Sequence, residues 1–308
     1  MNSITVHSPA SVANIVCGFD ILGMALSDPY DVMTLSLRQD GEIRIKHTDN
    51  FNLPVDPARN VVGAALQAMQ LELEPGIGFD VIVEKQIMPG SGLGSSAAGS
   101  AGAVVAANKL LREPFNNHDL VRFAMAGEKL ASGVKHADNI APCIYGGITL
   151  IRSIFPLDIV PVTPPSLYVT AVHPQIEVKT SDARQILRKE VQLKDAIRQW
   201  GNIAGLVAGL LKGDYALIGR SLEDVIIEPV RSVLIPGFDK IKQECKAQGA
   251  LGGGISGSGP SIFMLSEDQN TALRVSRIMQ DVYHDLQIDQ RTYVTTINTE
   301  GVKVISSN

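Results

Sequence analysis

The segment Pro89-Gly90-Ser91-Gly92-Leu93-Gly94-Ser95-Ser96-Ala97-Ala98 constrains the chain more than any other. Glycine at alternate positions lets the backbone turn sharply and present successive amides with no side chain in the way. The run that follows, Ser95 to Leu111, is almost wholly small or apolar, which predicts a buried helix closely approached by its neighbours. Glycine this frequent lowers helix propensity, so packing must hold the helix together. A loop of open amides feeding a helix N-terminus is an anion site, because unpaired N–H groups and the helix dipole act in the same direction. A triphosphate is the expected guest.

Three readings of this loop compete. The Walker pattern fails, since no lysine precedes Ser95 or Ser96. The dinucleotide pattern is matched in spacing by Gly92, Gly94 and Ala97, with Glu113 at about the distance of a ribose-binding acid. Against it, the strand expected at Phe79–Gln86 puts Phe79, Val81 and Val83 on one face and Asp80 and Glu84 on the other, unlike a strand buried on both faces. The third reading is purely structural, a tight turn with close helix packing.

A second helix, expected from about Asp119 to Ala131 with Asn117 or a neighbour as cap, carries an anomaly. Leu120, Phe123, Ala124, Gly127, Glu128 and Ala131 share one face, which sets a carboxylate on an apolar stripe. A buried carboxylate needs a cation, a hydrogen-bond network or a proton. Magnesium with phosphates is one answer and a lysine or arginine partner is the other.

The remaining pattern is mixed. Alternation over Tyr30–Leu37 and Glu42–His47 reads as a twisted antiparallel sheet, and Val61–Leu71 as a helix with Asn60 at its N-cap. The proline-rich stretch Pro156–Pro165 suggests a boundary between units 1–160 and 161–308. Beyond it, strands are expected at Leu167–Val172, Ile262–Leu265, Arg291–Asn298 and Val302–Ser306, with helices between them. Elements mixed without strict alternation suggest α+β layers.

Composition removes several partner classes. The net charge is −5 and no basic cluster exceeds Arg188-Lys189, so neither nucleic acid nor an anionic membrane is expected. Cys17, Cys143 and Cys245 have no metal spacing, and the odd count argues against a disulfide framework. Reduced cysteines imply a cytoplasmic protein, and Met1–His7 lacks the basic start and apolar core of a signal peptide.

Three segments in order carry a resemblance: Pro9-Ala10-Ser11-Val12-Ala13-Asn14 with Gly18-Phe19-Asp20, the loop Pro89–Ala98, and Gly252-Gly253-Gly254-Ile255-Ser256-Gly257-Ser258-Gly259-Pro260-Ser261. Together they resemble the motifs of the GHMP kinases over nearly the whole chain. His136-Ala137-Asp138-Asn139-Ile140-Ala141-Pro142 and Thr180-Ser181-Asp182-Ala183-Arg184, with Arg231 downstream, are similar to the homoserine-phosphorylating branch.

The resemblance implies an α+β, two-domain GHMP kinase fold: an N-terminal mixed α/β domain with the phosphate loop, and a C-terminal ferredoxin-like domain. It implies ATP on Pro89, Gly90, Ser91, Gly92, Leu93, Gly94, Ser95 and Ser96, adenine near Asn60, and Mg2+ on Ser96 and Glu128. It further implies L-homoserine between the domains, touched by Asn14, Asp20, His136, Thr180, Arg184 and Arg231, and it makes a homodimer the expected assembly. An amino-acid zwitterion needs an acid for its ammonium and donors for its carboxylate, which Asp20 with Asn14, facing Arg184 and Arg231, would supply. Arg184 also falls in a helical first turn, where the dipole disfavours a cation unless an anion arrives.

For the chemistry, Asp138 and Asn139 are the candidates, and Asn139 is favoured to orient the attacking hydroxyl. The alternatives are a GHMP kinase for another alcohol such as mevalonate, a non-catalytic sensor of the same fold, or a nicotinamide enzyme using the loop. Ile15-Val16-Cys17 stands where the family commonly has Leu-Gly-Pro. That departure bears on the conformation of the first loop and offers Cys17 as a target for thiol reagents.

Overall fold

Period-two alternation builds the first layer. β1 (Ser3–Ala13) pairs antiparallel with β2 (Leu22–Arg38), which buries Met33 and Leu35 while Val32 and Thr34 face the other way. β3 (Ile43–His47) follows, then α1 (Val61–Gln70) and β4 (Gly78–Glu84). β4 runs antiparallel to β2 but parallel to β3, so the antiparallel expectation fails for that one pair. The computed structural model describes residues 2–178 and 180–307, and the side chains of Thr180 and Ser181 lie outside the described residues.

Three helices cover this sheet: α1, α2 (Ser95–Leu110) and α3 (Asn117–Ser132). Ile4, Val6, Met33, Leu35, Phe79, Val81 and Val83 pack on their apolar faces, and each such side chain contributes about 1.5–3 kcal/mol by burial. The helices approach closely because they meet on small residues. A Cβ on Gly127 of α3 would stand 2.2 Å from Ser100 Oγ of α2 and 2.6 Å from the Val61 carbonyl. α3 starts on a capping box, Asn116 with Asp119, one residue before the expected cap.

The short helix α4 (Ile140–Tyr145) leads to β5 (Ile148–Ile154), which joins β2, and to β6 (Leu157–Val162) on its outer edge. β6 occupies part of the proline-rich stretch and spans the suggested 160/161 division while pairing within the first sheet. β7 (Tyr168–Pro174) begins the second layer. It is followed by α5 (Thr180–Gln185), α6 (Leu193–Lys212), α7 (Tyr215–Ser221), α8 (Glu228–Arg231) and α9 (Phe238–Ala247). β8 (Gly252–Ile255), β9 (Ile262–Ser266), α10 (Gln269–Asp285) and β10 (Gln290–Thr296) complete a four-stranded antiparallel sheet in the order β10-β7-β9-β8.

Both faces of this second sheet are covered, so β9 is buried at every position instead of alternating. Ile262 and Met264 pack on α9 and α10, while Phe263 and Leu265 share a cluster with Leu206 of α6 and with Val12, Met24 and Leu26 of the first sheet. That shared cluster joins the two layers. The chain then returns: β11 (Lys303–Ser307) pairs with β1 in the first sheet. Among the described residues no helix is long and apolar enough to cross a membrane.

Candidate active site

Between the layers lies a cleft of about 380 Å3, with the glycine loop as part of its wall. Gly90, Gly92 and Gly94 have φ of 77°, 85° and 68°, left-handed values that favour glycine. Gly92 is also fixed by space: a Cβ there would fall 2.7 Å from the carbonyl oxygens of both Ser256 and Gly259. Gly94 stands at the N-cap of α2 without a side-chain cap, so the first-turn amides are not claimed by a capping side chain. The loop is clamped from both flanking motifs. Ser11 N–H donates to the Leu93 carbonyl (3.1 Å), Ser261 N–H to the Ser91 carbonyl (3.1 Å), and Ser256 Oγ to the Gly92 carbonyl (2.7 Å).

Glu128 reaches this cradle from α3. Ser96 Oγ donates to its Oε2 at 2.9 Å, and burial raises the carboxyl pKa against the hydrogen bond from Ser96. No lysine or arginine forms an ion pair with Glu128 among the described residues, which removes the simpler of the two answers its position allowed. A hydroxyl and a largely buried carboxylate beside uncapped helix amides form an all-oxygen donor pair of the kind a hard divalent cation takes alongside phosphate. The residues fit magnesium.

The opposite end of the cleft has the character of a zwitterion site. Arg184 Nη2 donates to Asp20 Oδ1 (3.1 Å) and to His136 Nε2 (2.8 Å), while its Nε is buried without a partner. Burial lowers the His136 pKa, opposed by Asp20 and reinforced by Arg184, which matches an accepting, neutral ring. Arg231, 3 % exposed, donates to the carbonyls of Ala183 (3.0 Å) and Gly257 (3.1 Å). Both guanidinium groups lie over the Phe19 ring, at 5.8 and 4.9 Å from its centroid. Burial and the neighbouring Arg184 push Arg231 down to about 10. Two cations so close are costly, and an anion arriving between them would offset that cost.

The first loop takes an unusual shape. Asn14, Ile15, Val16 and Asp20 all have positive φ (75°, 39°, 66° and 61°), strained for β-branched residues and typical of functional loops. The turn is locked by Asn14, whose Oδ1 accepts from Asp20 N–H (3.0 Å) and whose Nδ2 donates to the Gly257 carbonyl (2.9 Å). Cys17 is enclosed, 1 % exposed, and burial pushes its thiol up to about 12, so it is no target for thiol reagents. Cys143 and Cys245 are buried likewise. Titration of the native protein with a chromogenic disulfide is expected to release almost no thiol within minutes, and three after unfolding. Fast reaction of Cys17 in the native state would contradict this.

Asn139 meets the loop from the start of α4, where Ser11 Oγ donates to its Oδ1 at 2.8 Å and so orients the carboxamide. Asp138 is buried behind it and accepts from Asn139 N–H at 3.2 Å. Burial, then the charges of Asp20 and Glu128, push Asp138 up to about 7 from its ordinary 3.8. The folded state therefore holds a proton that the unfolded chain has lost, and stability falls as pH rises from about 4 to 7, by an amount on the order of 4 kcal/mol. Asp138→Asn keeps the acceptor and removes the charge. Thermal melts are expected to show the variant gaining on the parent over that pH range, and parallel melting curves against pH would contradict the assignment.

Asn14, Asp20, His136, Asp138, Asn139, Arg184, Arg231, Ser96 and Glu128 thus share one cleft. Thr180 lies outside the described residues as a side chain. Asn60 behaves as a cap: its Oδ1 accepts from Val62 N–H, and its Nδ2 faces the Pro54 carbonyl and His47 Nε2. The cleft wall there is Leu53 and Val61. Ser11, Ser256 and the lysine at Lys85, which also lines the cleft, were not singled out from the sequence as ligands. The dinucleotide reading fails on topology, because β4 lies in a largely antiparallel sheet and Glu113 pairs with Lys109 on the surface.

Two family models match the chain, the GHMP kinases N terminal domain over residues 60–147 and the GHMP kinases C terminal over 206–285. The homoserine kinase of Chloroherpeton thalassium is 44% identical over 99% of this chain and 100% of its own. The crystal structure of homoserine kinase from Cytophaga hutchinsonii superposes with a TM-score of 0.95 at 47% identity, covering 99% of this chain and 98% of that one. L. major mevalonate kinase in complex with R-mevalonate shares the fold at 17% identity, with a TM-score of 0.72 and 94% coverage of each chain. Identity of this order, sustained from end to end, separates the chain from the distant members that share only its fold, and it belongs to the homoserine kinases of the GHMP kinase family.

Proposed function

We propose that this protein transfers the γ-phosphoryl group of ATP to the side-chain hydroxyl of L-homoserine, giving O-phospho-L-homoserine and ADP, a step of threonine biosynthesis. The observation that carries the reading is one cleft holding an uncapped phosphate cradle at one end and Asp20 with two arginines at the other. Relatives named homoserine kinase at 44% and 47% identity support it.

In this reading the loop 89–96 and the first turn of α2 receive the phosphates, and the base lies against Leu53 and Val61. Asp20 takes the substrate ammonium, and Arg184 and Arg231 take its carboxylate. Ser96 and Glu128 hold magnesium, which when bound neutralises phosphate charge. The hydroxyl oxygen attacks Pγ in line, an O–P bond forms, the bond from Pγ to the β-phosphate oxygen breaks with ADP as leaving group, and the hydroxyl proton passes to a non-bridging oxygen of the transferred phosphoryl group. Asn139, turned by Ser11, orients the hydroxyl. Asp138, protonated up to about pH 7 and committed to the Asn139 N–H, is poorly suited to be an open base. Positioning and charge stabilisation do most of the work. The units 1–160 and 161–308 divide these tasks, the first bringing the cradle and the second the arginines. We take the assembly as a cytoplasmic homodimer.

A coupled ADP-release screen over homoserine, mevalonate, shikimate and galactose tests the acceptor. Turnover with homoserine alone is expected. Mevalonate has a carboxylate but no ammonium for Asp20, and its phosphorylation at a comparable rate would overturn the assignment.

A further inference from the structure

The strand that delivers the loop ends on a buried ion pair which the mechanism above does not use. Asp31, fully enclosed on β2, accepts the Gln86 and Ile87 N–H groups on Oδ1 at 2.9 and 3.0 Å. Its Oδ2 receives the Lys85 ammonium. Lys85, 7 % exposed, in turn donates to the Ser95 carbonyl at 2.7 Å and lines the cleft. An enclosed cation at a helix N-terminus is held in place poorly without a counter-charge, because desolvation and the dipole both act against it. The carboxylate opposes both effects.

We propose that Asp31 is a positioning residue for the nucleotide loop, acting through Lys85 on the first turn of α2. The two amides at Gln86 and Ile87 fix where the strand ends. The carboxylate of Asp31 is the counter-charge of the Lys85 ammonium and holds it directed at the Ser95 carbonyl, next to Ser96 and the cradle. The inference rests on the kinase reading, because it is nucleotide affinity that a displaced first turn would lose.

Asp31→Asn separates the two tasks, since its carbonyl oxygen still accepts both amides while the counter-charge is gone. Calorimetric titration of ATP without homoserine is expected to show at least about a ten-fold loss of affinity, the size of one charge-assisted hydrogen bond. The KM for homoserine should stay within about two-fold, with cooperative melting retained. Lys85→Met should lose as much ATP affinity, and the double variant D31N/K85M no more than K85M alone. Unchanged ATP affinity in Asp31→Asn, or multiplying losses in the double variant, would overturn the proposal. Should Asp31→Asn not fold, the double variant has no unpaired buried charge, and its comparison with Lys85→Met decides alone. Parent protein that binds ATP without phosphorylating homoserine would defeat the kinase reading but leave these binding results standing.

Discussion

Glu128→Gln is expected to lower kcat by about 10²–10³-fold, with the KM for homoserine changed by less than about three-fold. Glutamine keeps the size of the side chain and an oxygen for the Ser96 hydroxyl, so α3 and its packing on α1 and α2 should survive. What disappears is the negative charge on the apolar face, which is the feature that faces the phosphate cradle. The loss should therefore appear in turnover and in the magnesium concentration needed for it, not in acceptor binding. Steady-state kinetics across a magnesium titration checks this, and an unaltered kcat with the same magnesium dependence would remove Glu128 from the metal site.

Asp20→Asn is expected to raise the KM for homoserine by about 100-fold while the KM for ATP moves by less than about three-fold. The change takes the Asp20 carboxylate from the Arg184 and His136 contacts and leaves two guanidinium groups near one ring with less to balance them. Asparagine retains the backbone N–H that Asn14 accepts, so the first loop keeps its lock. Calorimetric titration of each substrate separates the two affinities. Equal weakening of both would mean that Asp20 supports the cleft as a whole and does not select the amino acid.

Much of this was legible locally. The loop, its helix and the odd placement of Glu128 are written in short stretches where spacing alone fixes which residues share a face or a turn. Phe79, Val81 and Val83 alternate as buried positions for the same reason. Residues that support the site across large separations left no local signal. Asp31 and Lys85 are 54 residues apart, Ser11 and Asn139 are 128, and Gly92 and Ser256 are 164. No periodicity links such pairs.

Pro161, inside the proline-rich stretch, sits on β6, an edge strand paired with β5, where a missing N–H costs no ladder bond to a second neighbour. The Asn60 side chain is engaged by the α1 cap, Pro54 and His47, next to the cleft wall of Leu53 and Val61. The Ile15-Val16-Cys17 departure altered composition without removing the turn, because Asn14 holds it through Asp20 and Gly257. Cys17, expected as a target for thiol reagents, is an enclosed core residue, because it packs in one cluster with Leu22 and Met24.

The proposed reaction passes one phosphoryl group from ATP to the homoserine side-chain oxygen. Phosphorus NMR of a reaction with ATP, magnesium and L-homoserine tests it most directly. ADP is expected together with one new phosphomonoester resonance coupled to the protons of the terminal methylene. An acyl phosphate, or ADP with inorganic phosphate alone, would contradict it.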